Sequence, residues 1–203
     1  MPRQTDTRTR ARDEFARRLT EHGYLGVSLD DIAKAVDVRK ASLYHHFPGG
    51  KPALFMAVAA HHTEEAAAVL AHALATPGTL RDRLLALAAS YAQGTYNSAL
   101  SHQIYYGTRY LDDAQRAEIS HAYVHGLIQP VTDLMAQAVE TGELRQADPE
   151  FLATAFMELA ATVQPVPEDI ALPKPSRATP APADRLARDV VDLFLRGAAP
   201  DGA

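Results

Sequence analysis

The sequence predicts an all-α protein: an N-terminal three-helix part built around a helix-turn-helix, followed by a larger helical body. Three observations carry this. Apolar residues recur at helical spacing along most of the chain, while the alternation expected of strands is nearly absent. Ala, Leu and charged residues dominate the composition. The stretch SLDDIAKAVDVRKASLYHHF, Ser28 to Phe47, reads as two short helices around a tight bend.

With 203 residues the chain can bury a sizeable core, and with no cysteine it has neither disulfides nor a Cys-ligated zinc site. No run of roughly 18 or more apolar residues occurs. The start, MPRQTDTRTRARDEF, is too polar for a secretory signal, so a cytoplasmic protein with no membrane partner is expected. The net charge is −5, yet residues 1–50 carry nine Lys or Arg against seven Asp or Glu. Attraction for an anionic partner is thus concentrated at the N-terminal end.

The first helix is expected from about Thr9 to His22, with Ala11, Phe15 and Leu19 inward and Gly23 at its left-handed end. Arg3, Arg8, Arg10 and Arg12 precede or open it, either as a solvated arm or as phosphate and minor-groove contacts. Ser28 is placed to cap the next helix at Leu29, with Asp30 and Asp31 in its positive first turn. Leu29, Ile32, Ala33 and Val36 form its apolar stripe, which breaks at Asp37-Val38. In the following helix Leu43 and Phe47 face inward. Ala41 and His45 then point outward, flanked by Ser42 and Tyr44, with Arg39 and Lys40 at the exposed N-terminal end. That small, polar and basic face suits the major groove of DNA.

DIAKAVDV, then KASLYHHF, then PGGKPAL resembles the DNA-binding domain of the tetracycline-repressor (TetR) family of bacterial transcriptional regulators. Ile32, Ala33, Val38, Leu43, Tyr44, His46, Phe47 and Lys51 fall on positions of the family's IA-x-x-AGVS-x-G-x-LY-x-HF pattern and the lysine after it. The chain departs from it at Val36 for Ala, Asp37 for Gly, Arg39 for the capping Ser and Ala41 for Gly. Asp37 is expected to strain the bend slightly, and Arg39 cannot cap but can reach phosphate. The resemblance implies a DNA-binding domain over residues 1–50 and a ligand-binding and dimerisation domain over 51–203.

Beyond Pro48-Gly49-Gly50, a long helix from Pro52 to about Ala75 is expected, with Lys51 and free N–H groups at its start forming an anion site. By resemblance this site grips a DNA phosphate. Thr79 and Asp82 resemble a capping box opening a helix from Leu80 to about Tyr96. A shorter helix follows, about Ser101 to Tyr110. From Asp112-Asp113 a long helix runs to about Thr141, stopping at Gly142 and kinked where the Pro130 ring presses on the Gly126 carbonyl. Asp148-Pro149 caps a helix to about Val163. Residues 164–182 hold six prolines and no periodicity, an extended loop. The last helix, about Ala183 to Arg196, is apolar around most of its girth and needs cover on two sides.

That surplus predicts a homodimer through the last two helices, with Leu152, Phe156, Leu159, Val190 and Phe194 at the interface. Two heads about 34–36 Å apart then match two halves of a palindromic site in double-stranded operator DNA. The resemblance implies the same dimer.

Tyr91, Tyr96, His102, Tyr105, Tyr106, His121, Tyr123 and His125, with Tyr110, crowd the middle of the chain. They read either as ordinary packing at the edge of the core or as the polar lining of a mostly apolar pocket for a small-molecule effector. By resemblance the inducer pocket lies among these helices. His121 and His125 are one turn apart but lack an accompanying carboxylate motif, so no metal site is expected. No nucleophile elbow, phosphate loop, dinucleotide fingerprint or paired carboxylates occur. Neither catalysis nor a cofactor is expected.

The functional expectation is a regulator, most naturally a repressor released from its operator by a ligand. Phosphates would be held by Lys51, Tyr44, His46 and the N-terminal arginines, and base edges read by Lys40, Ala41, Ser42 and His45. The alternatives are a DNA-binding regulator whose body only dimerises or docks a protein, a metal-responsive regulator, and an all-α enzyme.

Overall fold

The computed structural model describes residues 4–93, 97–164 and 182–200. In chain order its α-helices are α1 (Gln4–Gly26), α2 (Leu29–Ala35), α3 (Lys40–His46), α4 (Lys51–Leu74), α5 (Leu80–Ala92), α6 (Ser98–Gly107), α7 (Asp113–Tyr123), α8 (Gln129–Glu140), α9 (Pro149–Ala161) and α10 (Ala183–Gly197). A 3-10 turn, Thr108–Tyr110, follows α6, and a π-helical turn, Val124–Ile128, joins α7 to α8. Arg3, Tyr96 and most of the proline-rich loop, residues 165–181, lie outside the described residues.

Local chemistry sets the helix ends. Ser28 Oγ accepts the Asp30 N–H at 3.1 Å, and Asp148 Oδ1 accepts that of Glu150 at 2.9 Å. Thr79 and Asp82 form the reciprocal capping box, the Thr79 N–H donating to Asp82 Oδ2 at 2.8 Å. Gly23 has a positive φ of 66° with an extended ψ of 174°, a glycine conformation other than the left-handed helix end expected, and the chain resumes helical geometry beyond it as far as Gly26. The disturbance expected at Pro130 takes the form of the π-helical turn just before it. Widening one turn moves the Gly126 carbonyl out of the path of the proline ring, which an unbroken α-helix cannot do.

The chain forms two compact units, residues 1–65 with 98–124 and residues 66–97 with 125–203. In the first, Phe15, Leu19, Ile32, Leu43, Leu54 and Phe55 form a core around which α1, α2, α3, the first part of α4 and α6 gather. Burying each large side chain stabilises the fold by roughly 1.5–3 kcal/mol. Gly107 lets α6 come close: a Cβ there would lie 2.6 Å from Cε2 of the fully buried Phe55. The packing unit holding the helix-turn-helix therefore extends past residue 50.

In the second unit α5 packs on α10 and α9, and α8 on α9. Leu84, Leu87, Met135, Leu152, Phe156 and Val191 lie in its core. Of the residues expected at the dimer interface, Leu152, Phe156, Val190 and Phe194 are buried within the single chain, Phe156 and Phe194 ring against ring at 5.1 Å. α9 and α10 spend these faces on their own unit. Leu159 is half-buried. The apolar side chains left outward are Phe151, 60 % exposed, and Leu193, 62 % exposed.

Candidate nucleic-acid interface

The turn between α2 and α3 closes by backbone chemistry. The Val38 N–H donates to the Ala33 carbonyl at 2.9 Å and that of Asp37 to Lys34 at 3.2 Å, with Asp37 left-handed at φ 55°. This is a Schellman end in which an aspartate takes the position favoured by glycine. It turns the chain so that α3 meets the core through Leu43, with Phe47 just beyond.

The rest of α3 is displayed. Arg39, Lys40, Ala41, Tyr44 and His45 are exposed, and Ser42 and His46 are half-buried. Arg39 stands at the N-cap without a side-chain capping bond, as its chemistry requires. The Tyr44 ring lies over Gly50, where a Cβ would come within 3.1 Å of Cε1. The His45 and His46 rings are 5.6 Å apart, edge to face. Lys40 Nζ is bound to Asp30 Oδ2 at 3.0 Å across the bend, and this bond raises the lysine pKa above its ordinary value.

At the start of α4, Lys51 Nζ lies 4.4 Å from the centre of the Tyr24 ring. Partial burial there lowers the lysine pKa. Tyr24 is stacked on Tyr110 at 5.1 Å and meets Phe55 edge-on at 5.2 Å, so the ring under the ammonium is fixed. Of the N-terminal arginines, Arg8 lies over the Phe47 ring at 5.5 Å, next to α3. Arg12 pairs with Asp13 at 2.8 Å. Sequence reasoning did not pair Tyr24 with Lys51 or Asp30 with Lys40. The only signals were an aromatic directly after Gly23 and a second acid in the first turn of α2.

The expected ligand group is not assembled around one cavity within either unit. His102, Tyr105, Tyr106, His121 and Tyr123 are exposed residues of the first unit, Tyr105 to 73 %. Tyr91 is buried in the core of the second unit, and His125, of the same unit, is exposed. In α6 and α7 the inward positions are taken by Leu100, Ile104 and Ile119, which turns the tyrosines outward. The first unit holds a cavity of about 310 Å³ lined in part by Arg12, Asp13, His61, His62 and Glu65. The second holds one of about 180 Å³ beside Thr79, Arg83 and Gln137. Neither is lined by any of these residues. Among the described residues no three His, Cys, Asp or Glu side chains gather as a metal site, and no helix is long and apolar enough to cross a membrane.

Residues 14–58 match the family "Bacterial regulatory proteins, tetR family", and residues 114–197 match "AefR-like transcriptional repressor, C-terminal domain". A 32-residue segment is 59 % identical to the biofilm operon icaADBC negative transcriptional regulator IcaR of Staphylococcus aureus (strain Newman), spanning 16 % of this chain and 17 % of that protein. The TetR family regulator PfmR from Thermus thermophilus superposes with TM-score 0.72 over 92 % of this chain and 97 % of its own, at 23 % identity. AibR in complex with isovaleryl coenzyme A and operator DNA gives TM-score 0.71 over the same shares, at 22 % identity. At such identities the structural likeness speaks for the fold. Together with the two family matches and the helix-turn-helix built above, it makes this chain a member of the TetR family of transcriptional regulators.

Proposed function

We propose that two copies of this chain bind a palindromic operator, repress transcription by occluding it, and release it when a small molecule binds the body. Residues 1–50 read the DNA, and residues 51–203 carry the effector and dimer functions. The observation that carries the DNA half is the split of α3: Leu43 is buried while Arg39, Lys40, Ala41, Tyr44 and His45 stand outward. Lys40, Ala41, Ser42 and His45 read base edges. Arg39, Tyr44, His46, Lys51 and Arg8 hold phosphates.

The dimer face runs along α9 from the exposed Phe151 over the half-buried Ala155 and Leu159, at i, i+4 and i+8, with the exposed Leu193 of α10. The effector half is supported by the parallel with AibR, a protein of this fold solved with isovaleryl coenzyme A and operator DNA. A coenzyme A thioester is the first ligand class to test. Coupling needs only a differential affinity for two states of the dimer, typically ~1–3 kcal/mol. A second reading, a body that docks a protein instead of a small molecule, draws on the exposed Tyr105 and Tyr106.

The test is selection of duplexes from a random pool by the purified protein, followed by titration of acyl thioesters into the complex. A palindrome released by one of them supports both halves. A palindrome that no bound ligand releases removes the sensing half and favours the docking body.

A further inference from the structure

We infer that Asp30 is a specificity-determining residue, which together with Lys40 reads a G·C base pair in each half-site. The inference rests on the DNA-binding reading above and extends it to a residue of α2. Both side chains are about half exposed, 55 % and 48 %, and they are joined at 3.0 Å across the bend whose second helix displays the outward face.

The ion pair itself contributes little to stability, because both side chains remain in contact with water. Its consequence is chemical. An ammonium has three donors, and with one spent on Asp30 two remain. A carboxylate has several lone pairs, of which Lys40 takes one. The pair therefore sets donors beside acceptors on the displayed face. In the major groove a G·C pair presents N7 and O6 as acceptors and the cytosine N4 amino group as a donor, which is the complementary order. An A·T pair places the adenine amino group toward the ammonium and thymine O4 toward the carboxylate, and both meetings repel.

A lone carboxylate would also be repelled by the phosphates. Held by Lys40, it brings no net charge. The same bond keeps Lys40 from acting as a loose point charge on any phosphate within reach, so Asp30 suppresses binding to the wrong sequence as well as selecting the right one.

The experiment is duplex selection with the full chain and with Asp30→Asn and Lys40→Ala, followed by titration of the selected site. For the unaltered protein one G·C position per half-site is expected, at which A·T costs about tenfold or more in affinity. Both variants should lose the preference at that same position. Asp30→Asn should also bind random duplex severalfold more tightly, because Lys40 is released. A measurement that leaves the protein unaltered puts 7-deazaguanine at that position, which should weaken binding severalfold by removing N7. If Asp30→Asn selects the same site with the same discrimination, or the two variants alter different positions, the inference is overturned alone. If the unaltered protein selects no duplex, the DNA-binding reading falls and the inference falls with it.

Discussion

Lys51 holds its ammonium 4.4 Å from the centre of the Tyr24 ring, and the same ring is stacked on Tyr110. A flexible lysine at a helix start is thereby given one seat before any anion arrives. Lys51→Ala should weaken binding to every duplex alike and flatten the slope of log affinity against log salt by about one unit. Tyr24→Leu should weaken binding less and leave the slope unchanged, since the charge remains. Fluorescence anisotropy across a salt series separates the two. An unchanged slope for Lys51→Ala would remove the phosphate contact.

Asp37 occupies the left-handed position that ends α2. For an L-residue with a side chain this conformation costs about 1–2 kcal/mol, and less for aspartate. Asp37→Gly relieves it at some cost in unfolded-chain entropy. The expected result is a gain of up to about 1 kcal/mol in urea unfolding with operator preference unchanged. A loss of stability would mean that the carboxylate makes the bend.

His62 is buried on α4 with its Nε2 2.6 Å from Ser101 Oγ of α6, and burial lowers its pKa below the ordinary 6.5. Glu65 opposes this shift and His61 adds to it. Arg12 and Asp13 of α1 line the same cavity. Between the lowered folded value and 6.5 the unfolded chain binds the proton and the folded chain does not. Stability is therefore complete above that window and falls as the pH drops through it. His62→Gln keeps a hydrogen-bonding side chain and removes the titration. Its stability relative to the parent should improve from pH 7.5 to pH 5.5 in urea unfolding, and a constant difference would show that His62 does not set the dependence.

Phe151 and Phe156 lie on the same helix, one 60 % exposed and the other fully buried. Phe151→Glu should leave helicity intact and yield single chains in sedimentation equilibrium, with operator affinity reduced. Phe156→Ala should cost about 3–5 kcal/mol of stability through the cavity it opens. A Phe151→Glu protein that stays dimeric would place the pairing surface elsewhere.

These cases also mark what the sequence could disclose. Ser28, Asp37, the Thr79–Asp82 box and Asp148 act on backbone groups within a few residues, and each was legible from its neighbours alone. Pro130 announced a disturbance but not its form, because a kink and a π-turn both relieve the same clash. For α9 and α10, apolar residues lie on more than one side, so periodicity did not distinguish the face buried at home from the face left over. Phe156 and Phe194 prove to be the first, Phe151 and Leu193 the second. The tyrosines of α6 look like pocket residues by type, and only the packing of Leu100 and Ile104 turns them out. The seat of Lys51 on Tyr24 depends on folding α1 against α4, which no local pattern encodes.

The most direct test of the account is the equilibrium titration of the full chain with the duplex it selects from a random pool, at fixed salt and with the stoichiometry counted. The account predicts a palindrome bound by two chains, with half-site preferences that shift when Ser42 or His45 is replaced. Single-chain binding to DNA of any sequence, unaffected by those replacements, would contradict it.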